Sequence, residues 1–286
     1  MIKRIVAVII GILVILLGRG FYYYSGFYSA PPIEMPSFEH AVLPMQPSTE
    51  YSDTYEKGEG TILLDLAHDN AFELDELGVP LSRLAARGLT IDFLAKEEKE
   101  AGAEEGLEGE LKGMNAFITV CPKEKFSKEE KETIRNFVED GGKLLLVADP
   151  TRVSEINSLS LDFGLIFEPD YLYDMKENDA NFRNIFITEF KENEITKDLE
   201  KIALYTAGSI TSSDYGIAFV GGNTFSSLIE TRRKLSPIAL TMDSKVLAVY
   251  DFTFMTEPYN GILDNNKLIS NIADWLASPT KKAESK

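Results

Sequence analysis

The residues able to do chemistry stand in short polar groups at the ends of apolar runs. His68, Asp69 and Asn70 follow "TILLDLA"; Cys121 and Pro122 close the run that begins at Asn115. Asp149, Pro150, Thr151 and Arg152 follow "KLLLVA", and Asp251 and Thr253 follow Lys245–Tyr250. Gathered on one rim, a histidine, several carboxyls, a thiol and an arginine can transfer protons, attack a carbonyl or hold a small polar ligand. Each also has a structural explanation. His68-Asp69-Asn70 can turn the chain and cap a helix. Cys121 can be a small buried apolar residue, Asp149-Pro150 a turn pair, and Asp251 a loop hydrogen-bonder. The chain has two histidines, His40 and His68, and one cysteine. This excludes an internal disulfide and leaves a metal at His68 without softer ligands, so no metal and no cofactor is expected. There is no G-x-S-x-G elbow and no phosphate loop, and Gly58-Glu59-Gly60 precedes its strand instead of following it.

The apolar runs must position these groups. Thr61–Ala67, Leu89–Leu94, Asn115–Cys121 and Lys143–Ala148 read as strands, and the continuous apolar character of the last suits a parallel strand covered on both faces. Leu77, Leu81, Leu84 and Ala85 space a helix over 74–86. Ser127 and Glu130 form a capping box for a helix that Gly141-Gly142 stops. Lys96–Lys112, rich in Glu and Lys, reads as a solvated loop or exposed helix. Strand and helix alternate, which predicts an α/β sheet, mainly parallel, with helices on both faces. Ile185–Phe190, Ile217–Val220 and Lys245–Tyr250 are further strands, and Leu268, Ile269, Ile272, Ala273 and Leu276 place a last helix over 265–277. In such sheets ligands bind beyond the carboxyl ends of the strands. His68 and Asp149 are therefore expected to share one crevice, with Asp69 and Arg152 as flanking charges. His68 would donate to Asp149, and Arg152 would keep Asp149 ionised.

One hydrophobic helix precedes this body. Lys3 and Arg4 lead into an unbroken apolar run, Ile5–Gly18, that is roughly 21 Å of helix; extension to Tyr24 reaches about 30 Å, with Arg19 snorkelling and Tyr22–Tyr24 as an aromatic belt. Residues 1–24 read as an uncleaved membrane anchor; a cleaved signal sequence is the other reading. For cleavage, Tyr28 and Pro31 are poor neighbours of Ala30. Residues 25–59 hold five prolines and read as a linker, 60–278 as the folded domain, and 279–286 as a charged tail. The basic residues before the span keep the N-terminus inside, and the domain would face outward. Against 29 basic residues stand 46 acidic ones, a net charge of -17. That field repels nucleic acid, and Arg232-Arg233-Lys234 is the longest basic run.

Four pieces in order, "ILLDLAHDN" (62–70), "FSKEEKETIRNFVEDGGKLLLVADPTR" (126–152), "LDFGLIFEPDYLYD" (161–174) and "VYDFTFMTEPYNGILDNNKLISNIADWL" (249–276), carry a family resemblance. Over roughly residues 60–276 the chain resembles the class I glutamine-amidotransferase-like domains of unknown function. It is most similar to the group of gliding-motility ABC-associated proteins and the related intraflagellar-transport domain. The resemblance implies a flavodoxin-like fold. True amidotransferases carry a nucleophilic cysteine in the turn after the strand that matches 143–148, where this chain has Asp149-Pro150. They also carry a downstream histidine, and here none follows His68. The resemblance thus implies the fold without the activity: a non-catalytic domain that binds a ligand or a protein, an accessory of an ABC-transporter-type membrane complex. A hydrolase using His68 and the rim acids is the alternative.

Overall fold

The computed structural model describes residues 2–26, 28–29, 43–96, 106–212, 214–228 and 234–278. His40, most of the Glu- and Lys-rich segment (97–105), Arg232-Arg233 and the tail lie outside them. The chain divides into two compact units, residues 1–41 and 42–286.

The first unit holds helix α1, Ile2–Tyr24, 23 residues with a mean hydropathy of 2.5 over its most apolar window. At 1.5 Å per residue it is about 35 Å long, enough to span a hydrocarbon core of about 30 Å. Signal sequences share these properties. Tyr22 and Tyr23 pack edge to face at 5.3 Å, and the Arg19 guanidinium lies 5.8 Å from the Tyr23 ring.

The second unit is a mixed α/β body. Its large sheet runs β2 (Leu89–Leu94), β1 (Gly60–Asp65), β3 (Ala116–Val120), β4 (Lys143–Val147), β13 (Val246–Val249), β12 (Ile238–Thr241), β10 (Gly216–Val220), β7 (Asn184–Phe190) and β8 (Ile202–Tyr205). The first five strands are parallel neighbours, and from β13 to β8 every pairing is antiparallel. Two short ribbons complete it: β6 (Leu172–Asp174) with β11 (Thr224–Ser226), and β5 (Ile166–Phe167) with β9 (Ile210–Thr211).

Alternation along the strands builds two cores. Ile62, Leu64, Ile118, Val120, Leu145 and Val147 face α2 (Gly78–Ala86) and α6 (Asn265–Ala277), which contribute Leu84, Leu268, Ile269, Ile272 and Trp275. Leu63, Phe117, Leu144 and Leu146 face α3 (Gly106–Leu111) and α4 (Lys128–Glu139), which contribute Leu111, Ile134 and Val138. The short α5, Asn157–Ser160, adds Leu159 to this second face. The expected capping box opens α4: Ser127 Oγ accepts from Glu130 N, and Glu130 Oε2 accepts from Ser127 N at 2.7 Å.

Several boundaries differ from the sequence reading. The helix over 74–86 begins with a 3₁₀ turn, Leu74–Leu77, and becomes α-helical at Gly78. Strands β8 and β12, "IALY" and "IALT", escape detection because runs of three or four apolar residues show neither period. The segment 43–59, read as the end of a linker, lies against the body. Ser48 N donates to Gly261 O at 2.8 Å, Gly58 N to Arg87 O at 2.7 Å, and Met45 N to Asp179 Oδ1 at 2.6 Å. Two glycines let it approach. A Cβ at Gly261 would sit 2.5 Å from Ser48 O, and one at Gly88 would sit 2.8 Å from Gly58 O. Gly88 also has φ +86°, a region that disfavours other residues.

Candidate functional site

The strand order reverses between β1 and β3, where an α/β sheet of this kind opens its crevice. Asp69 (φ 48°) and Cys121 (φ 44°) stand there as non-glycine residues in the left-handed region. Such strain persists only where surrounding contacts enforce it.

The first set of contacts centres on Asp65, the last residue of β1, which is fully buried. Its Oδ1 accepts from Ala67 N at 3.0 Å and lies 2.8 Å from His68 Nδ1. Its Oδ2 accepts from Thr119 Oγ1 at 2.7 Å and Asn70 Nδ2 at 3.3 Å. His68 is fully buried too, stacked on Phe126 with centroids 3.8 Å apart, its Nε2 3.4 Å from Glu130 Oε1. Asn70 Nδ2 also donates to Val120 O at 2.9 Å, which joins β1 to β3. Glu130, the capping-box acid, therefore lies against both its own helix start and the histidine.

A second set centres on Asp149, which is 1% exposed. Oδ1 accepts from Thr151 N at 2.8 Å and Thr151 Oγ1 at 2.5 Å. Oδ2 accepts from Phe252 N at 3.1 Å, Thr253 N at 3.2 Å and Thr253 Oγ1 at 3.0 Å. Three of these five donors thus tie the turn after β4 to the loop after β13. The expected His68–Asp149 bond is not made. His68 faces Asp65, which begins the turn that carries it, and Asp149 is occupied by its own turn and by the neighbouring strand's loop.

Arg152 reaches away from the Asp149 carboxyl. It donates to Glu76 Oε1 at 2.5 Å and Oε2 at 2.9 Å and to Ala71 O at 2.8 Å, with its guanidinium 4.8 Å from the Phe252 ring centre. Hydrogen bonding from Arg152 holds the Glu76 carboxyl below its ordinary value, and the same bond raises Arg152. Asp69 points outward to Lys123 Nζ at 2.9 Å, and that hydrogen bond lowers its pKa. Cys121 lies in the core. Burial first, then the Asp149 charge, push its thiol up to about 12, so it is not a thiolate nucleophile at neutral pH. Asp251 is fully buried and accepts from Tyr205 N and, at 3.3 Å, from Phe254 N. Burial, then Asp149, raise its pKa well above the ordinary aspartate value.

The six candidates thus fall into separate engagements. His68 and Asn70 meet at Asp65, Asp149 and Arg152 hold different partners, Asp251 braces β8, and Asp69 is at the surface. Sequence reasoning missed Asp65, Thr119, Glu76 and Glu130. The available signal was Asp65 itself, an acid inside an apolar strand, which requires buried partners. Open grooves lie elsewhere. One, of 670 Å³, runs between the 47–55 segment and α2 beside Arg83. Another, of 770 Å³, lies between α3 and α4. Among the described residues no group of three or more His, Cys, Asp or Glu side chains is placed to hold a metal ion.

No protein-family model matches the sequence, and no curated protein matches it. Among solved structures, the chain is similar to the mmIFT52 N-terminal domain with a TM-score of 0.62 at 16% identity, over 76% of this chain and 97% of that one. It also aligns with a ThuA-like protein from Parabacteroides merdae (TM-score 0.42, 11% identity, 80% of this chain and 93% of that one). For the glutaminase domain of Trypanosoma brucei CTPS the TM-score is 0.36 at 10% identity, over 79% of this chain and 97% of that one. At these identities the first match shows a shared fold and the other two carry no weight.

Proposed function

We propose that the protein is a membrane-anchored, non-catalytic binding module: α1 holds it in the bilayer, and the flavodoxin-like body faces outward and docks a protein partner in an ABC-transporter-type membrane complex. The observation that carries this is the state of the strand-end rim. Asp65, His68, Asp149, Arg152 and Asp251 are each committed to internal bonds, and the carboxyl of Asp149 alone accepts from five donors. A catalytic constellation needs a nucleophile within reach of a base. Here Cys121 is buried with a raised pKa, and His68 is stacked under Phe126. The alternative, a hydrolase at the rim, requires these groups to leave their partners before substrate reaches them.

The test combines two measurements on the full chain in detergent. Incubation with glutamine is expected to release no ammonia, and affinity purification from solubilised membranes under a high-salt wash to bring down an integral membrane protein. Ammonia release that disappears in Cys121→Ala contradicts the reading.

A further inference from the structure

The second unit contains five described arginines. Arg83 and Arg87 pair with Asp53, Arg135 with Asp162, and Arg152 with Glu76. Among the described residues Arg183 has no carboxylate partner, in a chain with 17 more acidic than basic residues. Its guanidinium lies instead 4.3 Å from the Tyr171 ring centre and 5.5 Å from that of Phe182, and its Nε is buried without a hydrogen-bond partner. A guanidinium laid on two rings has already given up much of its rotamer freedom, and its planar fork suits a carboxylate.

The rings continue into a platform. Tyr173 lies 6.2 Å from Tyr171, 6.3 Å from Phe182 and 5.9 Å from Phe225, all between centroids. Tyr173 and Phe225 are direct partners in the β6–β11 ribbon. Alternation forces them outward, because Leu172, Asp174, Thr224 and Ser226 on the same strands are buried. Phe225 is 55% exposed. Met175, just after β6, and Leu228, just after β11, are 70% and 59% exposed. Tyr171, Tyr173 and Arg183 are half-buried and Phe182 is exposed; surface Tyr, Phe, Met and Arg are enriched at protein interfaces, and aromatic residues and arginine dominate their energetic centres.

We propose that this face, Arg183 with Tyr171, Tyr173, Phe182 and Phe225, docks an acidic segment of a protein partner: a carboxylate on the Arg183 fork and a neighbouring apolar side chain on the Tyr173–Phe225 pair. The assignment of a partner rests on the binding-module reading; the choice of an acidic one rests on the unpaired charge. It requires nothing of the strand-end rim.

The full chain in detergent is titrated with blocked hexapeptides that place Glu beside Phe or Leu, and with the same peptides carrying Gln in place of Glu, up to about 1 mM, a limit that still detects millimolar binding. The acidic peptides are expected to bind at least about ten-fold more tightly than their Gln counterparts. Arg183→Gln removes that difference, Arg183→Lys restores it only in part, and Phe225→Ala weakens both series. Phe225 is exposed, so thermal unfolding of that variant should match the native chain. Equal binding of the Glu and Gln series, absence of binding in both, or a preference that survives Arg183→Gln overturns the proposal. Each of those results leaves the binding-module reading standing if a membrane partner still co-purifies. Glutamine hydrolysis removes that reading while leaving the peptide result intact.

Discussion

Asp65 is the acid that the apolar run "TILLDLA" conceals, and it decides what His68 does. Placement of His68 and Asp149 at strand ends was legible from the apolar runs. Their partners were not, because side-chain pairing depends on strand register and on turns that no period encodes. Cys121 shows the same limit: its position after a strand suggested reactivity, and its burial removes it. Thiol reagents at pH 8 are expected to leave Cys121 unlabelled in the native chain and to label it once denaturant unfolds the body. Cys121→Ala should shift stability by no more than about 1 kcal/mol. Native labelling at the unfolded rate would refute its burial.

Asp251 gives a pH test. Its folded-state pKa is raised by burial and by Asp149, above the unfolded value of about 3.9. Its contribution is therefore complete below the unfolded value and is lost as pH rises through the folded one. Asparagine does not titrate. Thermal midpoints of the native chain and Asp251→Asn at pH 4 and pH 8 should show the variant gaining on the native chain at the higher pH. A constant difference would speak against the raised pKa.

Among elements, the segment 43–59 departs furthest from its sequence reading. Prolines made it look like a linker, yet Asp53 sits between two arginines and a helix. Asp53 Oδ2 accepts from Arg83 at 2.8 Å and Arg87 at 2.9 Å, and Oδ1 from Ser270 Oγ at 2.9 Å. Burial opposes the Asp53 charge, but the bonds from Arg87 and Ser270 outweigh it and its pKa lies below the ordinary value. Arg87 is fully buried and, among the described residues, keeps only Asp274 as an ionic partner when Asp53 is removed. Asp53→Ala is therefore expected to cost about 3 kcal/mol, the order found when one partner of a buried pair is lost. Urea unfolding measures it, and a loss below about 0.5 kcal/mol would mean that the segment is a linker after all. No sequence pattern marks such a segment, since it has neither helical nor strand period and its partners are on α2 and α6. By contrast, the capping box of α4 and the apolar stripe of α6 were fully legible, because both signals are local.

For the molecule as a whole, charge and apolar patterning told more than motifs did. The parallel half of the sheet follows from alternating runs and helices; the antiparallel half, with its short strands, does not. The 23-residue α1 gives a direct test of anchoring. The full chain is expected to stay in the membrane pellet after a high-salt wash, and a chain lacking residues 2–24 to leave it. Release of the full chain would contradict the anchor, and an N-terminus found near Pro31 would show that the helix is a cleaved signal.

The strand-end rim remains the feature on which the functional reading depends, and Asp149 is its most heavily bonded member. Residues kept for catalysis hold strain, and their replacement often leaves stability unchanged or raises it. Residues that brace a fold lose stability when removed. Denaturant unfolding of Asp149→Ala, which orphans the buried backbone N–H of Phe252 and the half-buried one of Thr253, separates the two. A loss of about 3 kcal/mol is expected, from buried donors left without an acceptor. An unfolding midpoint equal to or above that of the native chain would contradict a bracing rim and return Asp149 to the candidates for catalysis.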